Sequence, residues 1–537
     1  MKAGKSPWLA LAPIATVSLV LALVIGPWSR TVNLMDTRLS ILCHVNALIW
    51  LVVLWWATHH LVFQLASLFR KPGTFPPDGQ PKVRFVLAYL TCDDFQEYAC
   101  LSCIRQQYPR KQFRVLICDD SQDAASKTAV SRFGVHHKVQ VVTRGDRKGF
   151  KAGNINNAVS LFTSAADEWI VVVDADQILP SDYLDRMAAA IRDQPPEVAF
   201  VQGSHCSDHT LSSPAGGEPR ARPSRFQDAL GNEIDIFYER SLPMRDSFGF
   251  LPFIGHGAAL RRSTLIRLRL PEVVSEDYAF SLRLRAAGER GAYAESIFSW
   301  ESFPKDFGAL MARLGKFAGG SAELLRRGGA GGFLLSRRVF LSEKADFLML
   351  LLWYPLCSFA LANMYLSGYV CHRLWTDSNK IPFLHPVLAY LFILMLVLSI
   401  PVMVSSTRGI LDVTRYWFWS MAVYAAALPN TACHFLVHVR RAPTFTTTPK
   451  GLGRAPSLFW HGTAMVPLGI VTLILSKLWY SPFSFILASY GAAFVSFPLY
   501  FRLAEESILG RLARLAIWIP GAFSLIGTYA MWTRGKF

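Results

Sequence analysis

The sequence predicts an α/β domain with a parallel, Rossmann-like sheet, inserted between α-helical transmembrane segments. Three observations carry that expectation. The stretch Glu168–Asp176, EWIVVVDAD, runs five apolar residues into two carboxylates one residue apart, and an unbroken apolar run of this length reads as a strand covered on both faces. Between Arg70 and Arg338 similar runs alternate with helical patterns, as βαβ units do. On either side of that stretch the chain is apolar over lengths that match a bilayer, and hydrophobic residues make up 52% of its 537 positions.

In order, Lys2 and Lys5 precede an apolar run from Trp8 to Gly26, and a second run spans Ile41 to Leu65. Two crossings with the basic N-terminus inside return the chain to the cytoplasm, so residues 1–69 form an N-terminal membrane region. The soluble region, 70–338, has strands expected at Val83–Leu90, Phe113–Cys118, Val139–Val142, Trp169–Val173 and Val198–Gln202. Helices are expected at Ala152–Thr163 and Ser181–Arg192, and the Pro-, Gly- and Ser-rich piece Ser212–Ser224 reads as a loop. Residues 339–537 return to lipid, with spans expected at Phe347–Val370, Pro386–Val404, Trp460–Leu478, Phe483–Phe501 and Leu512–Trp532. Tyr416–Val439 is apolar but carries Asn430, His434, His438 and a Pro429 break, which suits an interfacial helix better than a crossing. The count is seven or eight crossings, depending on that segment.

The formal charge is +17. In a membrane protein such a balance points to basic cytoplasmic loops near anionic headgroups and to anionic substrates. No zinc-finger, helix-turn-helix or RNP pattern accompanies it, so nucleic acid is set aside. Cys100 and Cys103 form a lone C-x-x-C without a second pair, better read as two small buried thiols in a reducing compartment than as a metal site.

The chemistry-bearing residues sit where strands end or helices begin, the place where α/β sheets hold ligands. Asp174 and Asp176 can both reach one hard cation. Asp119 and Asp120 follow the second strand. KGFKAGNINNAV places Lys151, Gly153, Asn154, Asn156 and Asn157 at a helix entry suited to anions. Gly255-His256-Gly257 leads into a short apolar piece and Arg261-Arg262, and Ser275-Glu276-Asp277 opens a helix.

This order resembles the membrane-embedded processive glycosyltransferases of family 2, the cellulose, curdlan, hyaluronan and chitin synthases. The matching pieces are Asp119–Asp120, KAGNINN from Lys151, Asp174-Ala175-Asp176 and Ser275-Glu276-Asp277. The resemblance implies a GT-A domain in which Asp119 and Asp120 contact the uracil of a UDP-sugar and Lys151, with Asp174, serves the diphosphate. It further implies that Asp174 and Asp176 hold Mg²⁺ or Mn²⁺. Asp277, with Glu276 beside it in the catalytic set, deprotonates the acceptor hydroxyl. Direct displacement on an α-linked donor then gives a β-linked product, such as a β-glucan.

A second match is Phe445-Thr-Thr-Thr448-Pro-Lys450, which resembles the F-x-V-T-x-K gating loop of cellulose synthases, within 440–455. That loop is cytoplasmic, which favours seven crossings. Where the family has Q-x-x-R-W, this chain has Arg313-Leu-Gly-Lys316-Phe317, keeping a cation and an aromatic platform for the acceptor. Gln177 follows the carboxylate pair where many relatives have His, leaving His256 as a candidate third metal ligand. The resulting expectation is a multi-pass bacterial inner-membrane enzyme with a cytoplasmic catalytic domain. It extends a β-linked polysaccharide and exports it through its own channel, among membrane lipids and with periplasmic export partners. One alternative is single transfer to a lipid acceptor. Another is a transporter or channel with a nucleotide-binding domain, disfavoured because no span carries buried acidic residues.

Overall fold

The computed structural model describes residues 11–21, 37–69, 83–192, 194–207, 237–301, 304, 307–378, 427–428, 430–443, 458–479 and scattered positions from 484 to 495. After α1 (Leu11–Leu21) and α2 (Thr37–Ser67) comes the α/β unit. Its first half runs β1 (Phe85–Thr91), α3 (Glu97–Ile104), β2 (Phe113–Asp119), α4 (Ala124–His137), β3 (Gln140–Thr143), α5 (Phe150–Phe162), β4 (Trp169–Val173) and α6 (Tyr183–Arg192). Its second half runs β5 (Val198–Ser207), α7 (Leu242–Phe248), β6 (Ala258–Arg261), α8 (Arg262–Leu268), α9 (Glu276–Ala286) and β7 (Arg290–Glu301). The helices α10 (Phe307–Arg326), α11 (Ala330–Leu335), α12 (Leu341–Leu351) and α13 (Trp353–Ser378) follow, then α14 (430–440) and α15 (Leu458–Leu478).

The seven strands form one sheet in the order β3-β2-β1-β4-β6-β5-β7. The first four are parallel, as expected from the alternation of apolar runs with helical patterns. The expectation of a wholly parallel sheet needs one correction: β6 is antiparallel to both β4 and β5. The loop before it doubles the chain back, so this strand enters the sheet from the opposite end. The chain leaves β1 toward β2 on one side and resumes at β4 on the other. The order therefore reverses between β1 and β4, and a crevice opens at their carboxyl ends.

The period of two explains why these strands have no polar face. Leu87, Tyr89, Val171 and Val173 pack with Cys100, Cys103, Phe133 and Met187 on one side. Val86, Ala88, Ile170 and Val172 pack with Ile155, Val159, Phe280 and Leu284 on the other. Each face is closed by helices, so each position of β4 is buried. Both thiols of the C-x-x-C are buried and free.

Among the described residues, α2 is long and apolar enough to cross a membrane, and α12 and α13, bent by 63° at their junction, pass the same test together. Side chains of α2 and α13 join through Asn46, whose amide donates to Asn363 Oδ1 at 2.8 Å and to Ser367 Oγ at 2.9 Å. Hydrogen bonds of this kind hold apolar helices together where burial alone gives no preference. The α/β unit is tied to these helices by Asp346 of α12. Its carboxylate lies 3.2 Å from His59 of α2 and 3.2 Å from Arg245 of α7, and accepts from Phe250 N at 3.0 Å. The spans expected at Pro386–Val404 and Leu512–Trp532, most of Phe483–Phe501, and the loop Ser212–Ser224 lie outside the described residues.

Candidate active site

The carboxyl end of β4 turns sharply, with Gln177 N donating to Asp174 O at 3.0 Å. Tyr89 OH clamps Ala175 O at 2.7 Å. Gln177 is fully buried, its amide donating to Ser299 Oγ at 2.6 Å while its Oε1 accepts from Asp174 N at 3.3 Å. Gln177 is therefore a strut that sets the two carboxylates. Asp176 is buried, and Asp174 is partly open.

Helix α5 begins after Gly149, whose φ of +73° only glycine adopts without strain. Lys151, in the first turn, reaches back to Asp174 Oδ1 at 2.7 Å. The asparagines that the sequence placed beside it as anion-binding candidates do other work. Asn154 donates to Cys118 O at 3.0 Å, and Asn156 both donates to Leu270 O at 2.8 Å and accepts from Leu270 N at 2.9 Å. They lock the helix against β2 and against the segment leading to α9, and so aim Lys151.

Glu276 and Asp277 open α9 opposite that lysine. The loop at Gly255 passes so close that a Cβ there would lie 3.2 Å from Asp277 Oδ2 and 3.5 Å from Lys151 Nζ. Burial, reinforced by the Asp277 charge, pushes the Glu276 carboxyl up to about 7, against the pull of Lys151 and Lys316. Burial likewise raises Asp277, although Tyr278 N donates to it at 2.8 Å. Lys151 feels the opposite balance: burial disfavours its charge, yet Asp174, Glu276 and Asp277 together hold the ammonium above its ordinary value. Lys316 of α10 is held below its own by burial, with Glu276 opposing. Helix α10 comes this near because Gly320 faces Ser275, where a Cβ would fall 2.0 Å from Ser275 Oγ.

The sequence-derived candidates thus fall into three groups. Lys151, Asp174, Glu276, Asp277 and Lys316 interact directly or through one another's charge, with Asp176 on the same turn as Asp174. Phe317, 40% exposed, and Arg313, whose guanidinium lies 5.4 Å from the Phe317 ring centroid, occupy α10 beside Lys316. Asp119 and Asp120 lie at the end of β2, already engaged. Asp119 accepts from Ser121 N at 2.9 Å, and Asp120 takes Arg144 in a bidentate pair at 2.7 and 2.6 Å. Arg144 also donates to Phe150 O at 2.8 Å, latching β2 to the start of α5. Phe445, Thr448 and Lys450 lie outside the described residues.

His256 lies 3.9 Å from Asp174 Oδ2, but its nearer carboxylate is Glu301, at 3.3 Å. Sequence reasoning missed Glu301, together with His205, Gln202 and Arg144. Gln202 is the residue that shapes the glycine loop, donating to His256 O at 3.0 Å and accepting from Ile254 N at 3.0 Å. The available signal was a place near a strand end, which holds for His205, two residues before the end of β5, and for Glu301, which closes β7.

Two family descriptions match the chain along this architecture: glycosyl transferase family group 2 over residues 169–428, and glycosyl transferase family 21 over residues 29–215. The chain carries a family 2 glycosyltransferase domain. Glucomannan 4-beta-mannosyltransferase 7 of Arabidopsis thaliana is 25% identical over 275 residues, covering 49% of the glycosyltransferase chain and 45% of that relative. The chain thus spans under half the length of this curated relative. Among solved structures, the mannosyltransferase PcManGT of Pyrobaculum calidifontis, in complex with GDP-Man and Mn²⁺, is 18% identical at a TM-score of 0.46, over 74% of this chain and 99% of its own. S. aureus TarS 1–349 in complex with UDP-GlcNAc is 12% identical at 0.33, over 66% of this chain and 90% of its own.

Proposed function

We propose that this glycosyltransferase transfers a sugar from a nucleoside diphosphate donor, UDP-linked, to a sugar hydroxyl, with inversion at the anomeric carbon. It extends a β-linked polysaccharide from the cytoplasmic face of a multi-pass protein of the bacterial inner membrane. The observation that carries the reading is the convergence of Lys151, Asp174, Glu276, Asp277 and Lys316 at the carboxyl ends of the sheet.

The two carboxylates of Asp174 and Asp176, one residue apart at a strand end, make an oxygen donor set that suits a hard divalent ion. Asp174 and Asp176 would hold Mg²⁺ or Mn²⁺, which when bound neutralises charge on the departing diphosphate. Lys151, already paired with Asp174, turns its charge toward the same phosphates. Asp277 takes the proton of the acceptor hydroxyl as it attacks. Its raised affinity for protons fits that task better than an ordinary carboxylate's does. The Glu276 carboxyl, raised by burial and by the Asp277 charge, couples its titration to that of Asp277. Lys316 balances the buried charge, and Phe317 offers the acceptor sugar an apolar face. The gating-like loop around Phe445, Thr448 and Lys450 closes over the nucleotide, and the helices that follow carry the polymer out.

A second reading, mannosyl transfer from a GDP-linked donor, is favoured by the similarity to a 4-β-mannosyltransferase. Full-length protein in proteoliposomes, given radiolabelled UDP- and GDP-sugars in parallel, separates the two. Polymer from a UDP-sugar, with β linkages on product analysis, supports the first. Incorporation from GDP-mannose alone replaces it with the second. Single-sugar lipid product in place of polymer withdraws chain extension.

A further inference from the structure

Behind Asp174 lies a group of side chains that the transfer reaction does not use. His205 lies two residues before the end of β5 and Glu301 closes β7, and the parallel register sets His205 opposite Ser299. Glu301 is two residues further on, so it shares a face with Ser299 and lies diagonal to His205. His256 comes in from the glycine loop, its ring crossing that of His205 at 84° with centroids 4.3 Å apart. One Glu301 oxygen, Oε2, lies 3.3 Å from His256 Nε2 and 3.8 Å from His205 Nδ1.

We propose that His205, His256 and Glu301 form a second cation site, separate from the Asp174–Asp176 pair, that takes a divalent transition-metal ion of the Zn²⁺ class.

The spacing fits. One ligand atom from each residue lies within 4.8 Å of the other two. Bonds of about 2.0–2.1 Å to a tetrahedral ion place neighbouring ligands about 3.4 Å apart. The polar inventory fits as well: His205 Nδ1, which faces Glu301 Oε2 at 3.8 Å, is buried without a hydrogen-bond partner. Folded proteins rarely leave such an atom buried unless something completes it. His205 is 1% exposed and Glu301 7%.

The backbone is shaped around the same ring. At Gly257, φ is +59°, and a Cβ would lie 2.6 Å from both His205 Nε2 and Gln177 Nε2. Any side chain there would displace the imidazole.

Donor chemistry distinguishes the two sites. Two imidazoles and one carboxylate favour zinc-like ions, whereas the carboxylate pair on the β4 turn favours Mg²⁺ or Mn²⁺. Such an ion would pin the Gly255–Gly257 loop to the sheet edge and fix the wall beside Asp277 and Lys151. Its role is positioning. The inference stands on this cluster and holds whichever donor the enzyme uses.

The test strips full-length protein in detergent with chelator, reloads it with ZnCl₂, desalts it and measures retained zinc. Wild type is expected to retain one zinc per chain, with an X-ray absorption spectrum showing two imidazoles. Asp176→Ala should retain it equally. His205→Ala and Glu301→Gln should each weaken retention by more than the roughly 10–100-fold typical of outer-shell changes. No retained zinc in wild type, or a shell of oxygens alone, overturns the proposal without reference to any variant. Loss of zinc in Asp176→Ala with retention in Glu301→Gln overturns it too, since the ion would then belong to the carboxylate pair. The spectrum of wild type decides even if a variant fails to fold.

Discussion

Lys151 Nζ rests 2.7 Å from Asp174 Oδ1, so the cation assigned to the phosphates and a carboxylate assigned to the metal neutralise each other. Lys151→Met removes a charge-assisted contact worth roughly 1.5–3 kcal/mol. It also leaves Asp174 with one positive neighbour fewer. The expected result is a loss of about ten- to a hundredfold in kcat/KM, read by steady-state transfer kinetics. A change of less than twofold would detach Lys151 from the donor.

Asp277→Asn keeps the size of the side chain and removes the proton acceptor. Loss of a general base costs about 10²-fold or more. Nucleotide affinity, measured by calorimetry on the same preparation, should stay near wild type because Asp277 acts on the acceptor. Weakened nucleotide binding would move Asp277 to the donor side.

The acidic pair also sets a pH dependence. Burial raises Glu276 to about 7 and raises Asp277 in the same direction. Activity should therefore fall on the acid side near neutrality, well above the ordinary carboxylate range of about 4. The folded state holds protons that the unfolded chain has already lost between those limits. Stability from this pair thus declines as pH rises from the ordinary range toward 7 and is flat above. Glu276→Gln removes one buried charge and is expected to raise Tm at pH 8 relative to wild type. Thermal unfolding across pH 5–8, in parallel with rate profiles, checks both signs.

Gly320→Ala tests how α10 docks. A Cβ there would fall 2.0 Å from Ser275 Oγ, so the helix or the start of α9 must shift. Overpacking of this kind costs about 1–3 kcal/mol. Because Lys316 rides on the same helix, activity should drop further than the fall in Tm alone accounts for. Calorimetry and transfer rates on one sample separate the two.

The loop of Phe445, Thr448 and Lys450 gives a prediction of its own. Lys450→Ala should lower turnover and nucleotide affinity together, by about ten- to a hundredfold, with Tm unchanged. Unaltered kinetics would return the stretch to a linker and remove a support for polymer extension.

The parallel half of the sheet was legible in the sequence because two-sided burial leaves mainly apolar residues in β1 and β2 and nothing else in β4. The antiparallel β6 was not. It is four residues long, AALR, and its direction is set by a loop held by Gln202, 52 positions from Ile254. Within the site, Lys151, Asp174, Glu276 and Asp277 could be read because each sits at an element end inside a short motif. Asn154 and Asn156 looked equivalent to Lys151 in that motif but turn away from the ligand side, since a helix sends successive residues in different directions. His205 and Glu301 carried no local pattern. They meet only because β5 and β7, far apart in sequence, lie side by side.

The clasp at Asp346 has a consequence for how the protein is made. His59 precedes the α/β unit in the chain, Asp346 follows it, and 287 positions separate them. Arg245 and the Phe250 amide belong to the unit itself, yet their acidic partner leaves the ribosome last. During synthesis the unit must wait, with a buried cation and a backbone donor unmatched, until α12 arrives. A fragment cut to residues 70–338 carries Arg245 and Phe250 without either flanking helix. Supplying α2 and α12 on separate chains in the same membrane would close the clasp in trans and turn an excised domain back into an assembled one.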